Sequence, residues 1–262
     1  MEIKQFFEKV WSDYILVTPQ AEQINQLFLW KYGNALNDHV AFRTFNLNPM
    51  AIEELEHFFF EMDYSFDKEY KFAEKKLYAR SYTHPDELMP IIFFSQLLTE
   101  QVSQKSQNVI SNLVRQIKKE SVRDPSFFYS GLGWEMPTYD EYLTLLKESE
   151  YAAWLSVMGM RANHFTLRVP SITEALDLVE SNRFSLNTSG GRVKGSPELL
   201  LEQGATLADC MIVTFKDGIK QTVPTCYYEF ANRYFDQSGR LYRGFVTSSA
   251  DKIFESTNQG EI

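Results

Sequence analysis

Cysteine is scarce in this chain, and neither long apolar runs nor blocks of like charge occur in it. The two cysteines, Cys210 and Cys226, lie in apolar, strand-like sequence without the spacing of a metal or redox motif. This disfavours a cysteine-based metal or redox site, and we interpret both residues as reduced thiols in the core.

Secretory and membrane signals are also missing from the N-terminal sequence. In MEIKQFFEKVWSDYILV, charged residues interrupt every apolar run, which predicts neither a signal peptide nor a membrane span and favours the cytoplasm. The net charge of −9 and a pI near 5.1 argue against nucleic acid or an anionic membrane as the main partner. A small anionic substrate would need a local positive charge.

Apolar and aromatic residues are plentiful instead. Hydrophobic residues make up 44% and charged residues 23% of the chain, a balance typical of globular rather than disordered proteins. The aromatic share of 15% indicates a well-packed interior that can keep water away from a reactive centre.

Two helices are predicted at the N-terminus, followed by a first series of strands. The helices cover residues 2–32, with Thr18 and Pro19 at the start of the second and Gly33 at its end. Hydrophobic periodicity then predicts a strand at 37–46, a helix at 50–62, and further strands within 71–83 and 90–97.

A similar series follows a helical spacer. It comprises a strand at 162–169, a helix at 171–181 with Ser171 and Glu174 as a capping box, and strands at 198–202, 208–216 and 222–233. Asp217 and Gly218 form a hairpin-type turn between the last two strands. The order βαβββ therefore occurs twice.

This repeat predicts an α+β fold of the vicinal oxygen chelate type, in which two βαβββ modules curl around one metal cavity with helices outside. We interpret residues 1–262 as a single catalytic domain. Its segments are the N-terminal helices (1–33), the first module (34–97), the spacer (98–160), the second module (161–235) and a C-terminal segment (236–262).

Two of the four histidines fall in the opening strands of the two modules, His39 in DHVAFRTF and His164 in ANHFTL. Because side chains alternate along a strand, His39, Ala41 and Arg43 share one face. The Cα atoms of His39 and Arg43 would be roughly 13 Å apart, a span that a small dicarboxylate and a guanidinium can bridge.

Glu229 lies in the last strand of the second module, within TCYYEFANR. A carboxylate among aromatic residues is costly unless it is paired or bound to a metal. Two imidazoles and one carboxylate form the facial triad typical of Fe(II) oxygenases. We therefore predict an Fe(II) site at His39, His164 and Glu229.

Simpler interpretations remain open at this point. A single strand histidine is more often a hydrogen-bonded core residue than a ligand, and Arg43 is equally compatible with a structural ion pair. We interpret His57 as a helix packing residue and His84 as a turn residue. The glycine-rich segment TSGGRVKGSPELLLEQ lacks the Walker spacing and is interpreted as a lid or hairpin.

Several blocks of the sequence resemble the 2-oxoadipate dioxygenase/decarboxylase family, also called hydroxyglutarate synthases, within the vicinal oxygen chelate superfamily. The blocks are DHVAFRTF, ANHFT, KGSPELLLEQ, CYYEFANR and SSADKIFEST. The resemblance covers most of the chain apart from the N-terminal helices and the spacer, and this chain looks like a short member.

The resemblance implies a metal triad at His39, His164 and Glu229, and a substrate-carboxylate arginine at Arg43. It also implies substrate contacts by the C-terminal serines Ser248 and Ser249. The implied reaction joins 2-oxoadipate and dioxygen to give 2-hydroxyglutarate and carbon dioxide, a step of lysine degradation. The expected partners are therefore a small 2-oxo acid and dioxygen, with oligomeric state undetermined.

Two kinds of rival function remain. One is another metalloenzyme of this fold, an extradiol dioxygenase or a glyoxalase-type isomerase. The isomerase is disfavoured because the last strand of the first module, within MPIIFFSQL, offers no fourth strong ligand. The other is a non-catalytic protein that binds a small molecule on the same scaffold.

Overall fold

The computed structural model describes residues 2–245. Its α-helices are α1 (Ile3–Val17), α2 (Pro19–Tyr32), α3 (Ile52–Leu55), α4 (His57–Phe60), α5 (Gln104–Val114), α6 (Tyr139–Leu146), α7 (Glu150–Met158) and α8 (Ile172–Ser181). Its strands are β1 (Asn37–Phe45), β2 (Ser65–Phe72), β3 (Leu77–Thr83), β4 (Ile91–Leu97), β5 (Ala162–Arg168), β6 (Lys194–Ser196), β7 (Leu201–Ala205), β8 (Cys210–Thr214), β9 (Lys220–Pro224) and β10 (Tyr227–Arg233). Within this part of the chain, no helix has the length and apolarity needed to cross a bilayer.

Eight of the strands form one mixed sheet that curls into a half-barrel, in the order β2-β3-β4-β1-β5-β10-β7-β6. Each half of the sheet holds two neighbouring parallel strands, β1 with β4 and β5 with β10. The halves meet where β1 and β5 pair antiparallel. This arrangement confirms the predicted α+β fold with two modules around one concave face.

The two N-terminal helices are confirmed, with Thr18 between them and Pro19 as the first residue of α2. Helix α2 ends where Gly33 adopts φ 72° and donates its N–H to the carbonyl of Leu29. Helix α1 buries Phe6, Val10 and Tyr14, which recur every four residues on one face. The ring of Phe6 packs against Phe128 in the aromatic segment Pro125–Tyr129.

The second module differs from the prediction in its strands. The sequence patterns at 208–216 and 222–233 predicted two sheet strands, but β8 and β9 form a separate two-stranded hairpin. Pro224 ends β9, and only β10 joins the main sheet. Alternation predicts an extended conformation, but the strand with which it pairs depends on tertiary packing. Phe215, which directly follows β8, packs against Tyr142 of α6.

Two predicted helices are also shorter than expected. Residues 50–62 form two separate single turns, α3 and α4. The polar sequence at roughly 98–119 of the spacer predicts one long helix, but the only α-helix that forms there is α5. The Ser103 side chain caps α5 by accepting a hydrogen bond from the backbone N–H of Ser106. The second predicted strand region begins earlier, because β2 starts at Ser65.

Candidate metal centre

The structure brings His39, His164 and Glu229 together on the concave face of the sheet. They lie on β1, β5 and β10, which are adjacent strands. One nitrogen or oxygen atom from each residue lies within 4.8 Å of the others, and all three residues are buried. Nε2 of His39 is 3.5 Å from Oε1 of Glu229, and Nε2 of His164 is 3.8 Å from Oε2.

Asp38 orients the imidazole of His39. Its Oδ1 lies 2.8 Å from Nδ1 of His39, which places the proton on Nδ1. The Nε2 atom then accepts a hydrogen bond from the Thr166 hydroxyl at 2.9 Å. Nε2 of His39 therefore carries the lone pair that a metal ligand needs, and a bound ion would replace the Thr166 hydroxyl as its partner.

His164 is held in the same way by the residue that precedes it. The side-chain oxygen of Asn163 lies 3.1 Å from Nδ1 of His164, and the ring of Tyr227 stacks on the imidazole at a centroid distance of 4.8 Å. Burial lowers the pKa of His164 well below its usual value, and the nearby His39 and Arg43 add to this effect. The imidazole is consequently neutral and able to bind a cation.

Glu229 carries the one carboxylate of the group. Its Oε1 accepts a hydrogen bond from Nε2 of Gln203. Its Oε2 is buried and has no hydrogen-bond partner among residues 2–245. Burial raises the pKa of Glu229 above its usual value, although His39 and Gln203 oppose the shift. A cation would complete the coordination of the carboxylate, so the residues present fit a divalent metal ion.

The internal symmetry of the sheet explains why the site has three such residues. Glu229 pairs in register with Thr166, two residues after His164. The corresponding position in the first module, opposite Ala41, is occupied by Phe93. The Phe93 ring packs edge-on against His39 at 5.1 Å. An apolar wall therefore stands where a fourth ligand would lie in a symmetric site.

Asp38 is itself fixed by a buried, two-point ion pair with Arg233. The Nε and Nη2 atoms of Arg233 donate to Oδ2 and Oδ1 of Asp38 at 2.7 and 2.8 Å. Burial opposes ionisation of Asp38, but the guanidinium and the hydrogen bond to His39 hold the carboxyl pKa well below its usual range. Asp38 is therefore an anion that polarises the His39 imidazole.

Arg233 also holds residues 241–245, which we call the strap. Its Nη1 donates to the carbonyl oxygens of Tyr242 and Gly244 at 3.1 and 2.8 Å. The strap places the ring of Phe245 over the concave face, 4.7 Å from the ring of Phe93 and 6.5 Å from His39. Arg233 thus connects Asp38, which orients His39, to the strap that covers the cavity.

The cavity beside His164 is small in this conformation. Its volume is about 30 Å³, and its walls include Ala41, Tyr70, Ser95 and Phe245. This volume holds about one or two water molecules. A six-carbon dicarboxylate fits only if part of the wall moves.

Arg43 lies on the same face of β1 as His39 and Ala41. It follows Ala41, a wall of the small cavity, by two residues. It is 2% exposed, and its guanidinium stacks on the rings of Tyr151 and Trp154 at 5.0 Å each. Burial lowers the pKa of Arg43 from its usual value. Its outer side lines a surface crevice of about 270 Å³. Arg43 therefore lines the surface crevice and is not among the walls of the small cavity beside His164.

The remaining sequence-predicted residues lie elsewhere. Ser248 and Ser249 are outside the described residues. His57 is exposed on α4, and Nδ1 of His84 accepts a hydrogen bond from the Asp86 backbone in a turn, so neither joins the triad. The glycine-rich segment leads into and includes most of the β6–β7 hairpin, and the ammonium group of Lys194 is held by the carbonyls of Asn187 and Gly191.

Sequence reasoning missed the residues that support the triad. Asp38 and Asn163 directly precede the two histidines, and this shared spacing was a usable signal. Gln203 and Arg233 gave no such signal, since each lies far along the chain from its partner.

Known proteins resemble this chain closely. Residues 21–241 match the family described as 2-oxoadipate dioxygenase/decarboxylase. The chloroplastic/amyloplastic 2-oxoadipate dioxygenase/decarboxylase of Oryza sativa subsp. japonica is 35% identical over 291 residues, covering 98% of this chain and 80% of the relative. These matches extend over nearly the whole chain.

Solved structures show the same fold. Hydroxyglutarate synthase from Oryza sativa, crystallised in complex with 2-oxoadipate, has a TM-score of 0.90 and 34% identity, covering 97% of this chain and 91% of that chain. A Shewanella frigidimarina protein of assumed hydrolase function has a TM-score of 0.90 and 41% identity, covering 94% and 98%. A Ralstonia eutropha protein assigned to the glyoxalase superfamily shares the fold at a TM-score of 0.75 and 20% identity, covering 90% and 83%.

Proposed function

This chain belongs to the 2-oxoadipate dioxygenase/decarboxylase family, and we propose that it converts 2-oxoadipate and dioxygen to 2-hydroxyglutarate and carbon dioxide at an Fe(II) ion. The observation that carries the proposal is the buried convergence of two imidazoles and one carboxylate within 4.8 Å. The atoms balance without another co-substrate. The carboxyl group next to the keto carbon leaves as carbon dioxide. One atom of dioxygen completes a new carboxyl group at the former keto carbon, and the other forms the hydroxyl group on the adjacent carbon.

His39, His164 and Glu229 are the proposed ligands. Both histidines would bind through Nε2, because their Nδ1 atoms face Asp38 and Asn163. Glu229 would bind through Oε2, the oxygen without a hydrogen-bond partner in the described chain. Fe(II) in such a triad supplies open positions that can take a 2-oxo carboxylate group and dioxygen together.

Arg43 would hold the distal carboxylate of the substrate. It lies on the same strand face as His39, so a dicarboxylate bound near the histidines would extend along β1 towards it. The platform of Arg43 is rigid, because the Tyr151 hydroxyl donates to the carbonyl of Ser95 at 2.7 Å. Charge-assisted hydrogen bonds from Arg43 would fix the carbon to be hydroxylated. On the family resemblance, we also propose that Ser248 and Ser249 contact the substrate.

Aromatic side chains would exclude water from the reacting atoms. Phe93, Tyr227 and Phe245 contact the two imidazoles from different sides. A dry site protects a reactive intermediate from side reactions. Phe93 occupies the place of a fourth ligand in a symmetric site. A metal ion bound here would therefore have more coordination positions open to substrate and dioxygen.

The direct test is oxygen uptake after anaerobic reconstitution with Fe(II), measured across 2-oxo acids of increasing length. We expect the fastest uptake with 2-oxoadipate and none in His164→Ala. His57→Ala is the matched control, since His57 is exposed on α4, and it should keep full uptake. Undiminished uptake in His164→Ala would refute the site assignment, and substrate binding without uptake in metal-loaded protein would indicate a binding protein.

The proposal also covers the organisation and location of the protein. We propose that residues 1–262 form one catalytic domain, because a single sheet carries all three proposed ligands, and that the protein acts in the cytoplasm. Fractionation of cells that express the protein, together with limited proteolysis of the purified chain, would test both points.

A further inference from the structure

A second cavity lies outside the metal site and shares no lining residue with it. Its volume is about 420 Å³, which is within the usual range for small-molecule sites. It is bounded by the end of α2, the segment that follows β5, and the start of the strap. Phe28, Pro170 and Leu241 give it an apolar wall.

Two arginines line this cavity, Arg168 and Arg233. Arg233 is engaged with Asp38 and the strap through all three of its nitrogen atoms. Arg168 is held more weakly. Its Nη2 donates to the backbone carbonyl of Glu87 at 3.4 Å, and its buried Nε has no hydrogen-bond partner among residues 2–245.

Asp38 is the only carboxylate of the described chain that forms an ion pair with Arg168, and its oxygens already have other partners. Oδ2 of Asp38 is 3.7 Å from Nε of Arg168, but this oxygen accepts the Nε–H of Arg233 at 2.7 Å. Oδ1 of Asp38 serves Arg233 and His39. One aspartate therefore faces two guanidinium groups, and the pair leaves an excess positive charge beside the cavity.

A third arginine, Arg243, lies close enough to interact with the other two. Burial lowers the pKa of Arg243 from its usual value; Glu87 and Asp38 oppose this shift, while Arg168 and Arg233 add to it. Mutual repulsion among three guanidinium groups is relieved when an anion binds near them.

Neutral donors complete the lining. The hydroxyl of Tyr32 is buried and has no hydrogen-bond partner in the described part of the chain. The amide of Asn34 also lines the cavity, directly after the C-terminal end of α2. The negative end of the α2 dipole disfavours a doubly charged phosphate there, whereas a singly charged group is tolerated.

We propose that this cavity binds a small organic carboxylate. Arg168 pairs with the carboxylate, the Tyr32 hydroxyl donates a hydrogen bond to it, and the apolar wall packs against the body of the ligand. The site is separate from the metal cavity and does not depend on the proposed oxygenase activity.

Equilibrium dialysis of the metal-loaded protein against benzoate tests this site, with benzyl alcohol as the neutral analogue. We expect saturable binding of benzoate and much weaker binding of benzyl alcohol. Arg168→Gln should weaken benzoate binding about ten-fold or more, the usual loss for a hydrogen bond to a charged group. Arg115→Gln is the matched control, because Arg115 is exposed at the end of α5 and should leave binding unchanged.

Arg43→Gln distinguishes the two cavities, and wild-type affinity in this variant supports a separate site. Tyr32→Phe, which removes only a hydroxyl, should also weaken binding and provides the test if Arg168→Gln does not fold. The proposal is overturned if the Arg168 and Tyr32 variants bind benzoate as wild type does. It is equally overturned if only Arg43→Gln loses binding, if benzyl alcohol binds as well as benzoate, or if benzoate does not bind.

Discussion

At the scale of single residues, each candidate ligand has one neighbour that sets its orientation. For His39 and His164 that neighbour is the preceding residue in the chain, Asp38 or Asn163. The two neighbours differ in charge, so the two imidazoles are not equivalent. Asp38 is charged, and the buried guanidinium of Arg233 neutralises this charge.

Replacing Asp38 should destabilise the protein through Arg233. Asp38→Asn keeps an acceptor for His39 but leaves a buried guanidinium without its counter-charge. We expect the free energy of unfolding to fall by about 3–5 kcal/mol, the usual cost of removing one partner of a buried pair. Urea denaturation monitored by tryptophan fluorescence measures this change.

Asp140→Asn is the control for that experiment. The Asp140 side chain is 84% exposed, 3.6 Å from Lys105. Its replacement should change the free energy of unfolding by less than about 1 kcal/mol. Equal effects of the two substitutions would contradict the role given to the Asp38–Arg233 pair.

The two cysteines should differ sharply in reactivity. Burial raises the pKa of Cys226 to about 12, so its thiolate is scarce at pH 8. Cys210 is exposed. We expect Ellman's reagent to modify one thiol rapidly in the native protein and the second only in denaturant. Cys210→Ser should remove the fast phase, and a fast phase that persists would show that Cys226 is accessible.

At the scale of elements, strand β1 and the strap define the metal cavity. β1 carries His39 and Arg43 on one face, and the strap covers this face with Phe245. Because the open volume beside His164 is about 30 Å³, the strap would limit how much of a bound acid the proposed substrate cavity can hold. Substrate length should therefore depend on Phe245.

Phe245→Ala should widen the range of substrates. Removal of the ring enlarges the cavity, and we expect the kcat/KM ratio of the seven-carbon to the six-carbon 2-oxo diacid to rise about ten-fold, the scale of one methylene in a shaped pocket. Oxygen uptake with both acids gives this ratio. Phe60→Ala, at a ring that is 44% exposed on α4, should leave the ratio unchanged. An unaltered ratio in Phe245→Ala would exclude Phe245 as a wall of the substrate site.

At the scale of the whole molecule, the candidate metal centre draws its residues from both halves of the sheet. His39 comes from the first half, whereas His164 and Glu229 come from the second. A bound ion would therefore link both halves across the β1–β5 junction. Stability and metal binding should be coupled, because the three residues converge only in the folded chain.

Metal removal should lower the melting temperature. An ion at about 100 times its Kd adds roughly 2.7 kcal/mol of stability, which corresponds to about 5–10 °C for a chain of this size. We expect a chelator to cause this decrease in the wild type and a much smaller one in Glu229→Gln. Differential scanning calorimetry with and without chelator measures both. A wild-type melting temperature unaffected by the chelator would contradict a stabilising ion at the triad.

Much of the fold was predictable because each module repeats a local pattern. The α+β class, the paired modules, the N-terminal helices and the turn at Gly218 follow from periodicity and from glycine and proline signals. The separate β8–β9 hairpin and the shortened helices did not follow. Period-two alternation is the same whether a strand joins the main sheet or a hairpin, and only packing distinguishes the two.

The sequence by itself determined which side chains share a strand face, since alternation is a property of the extended backbone. Alternation placed His39 and Arg43 on one face, and the module repeat and the aromatic surroundings of Glu229 made His164 and Glu229 the other candidates. The tertiary structure alone decided what surrounds them, including the Arg233 contact with Asp38 and the cover provided by Phe245. Such contacts join residues far apart in the chain, and their formation depends on how the sheet curls rather than on any local pattern.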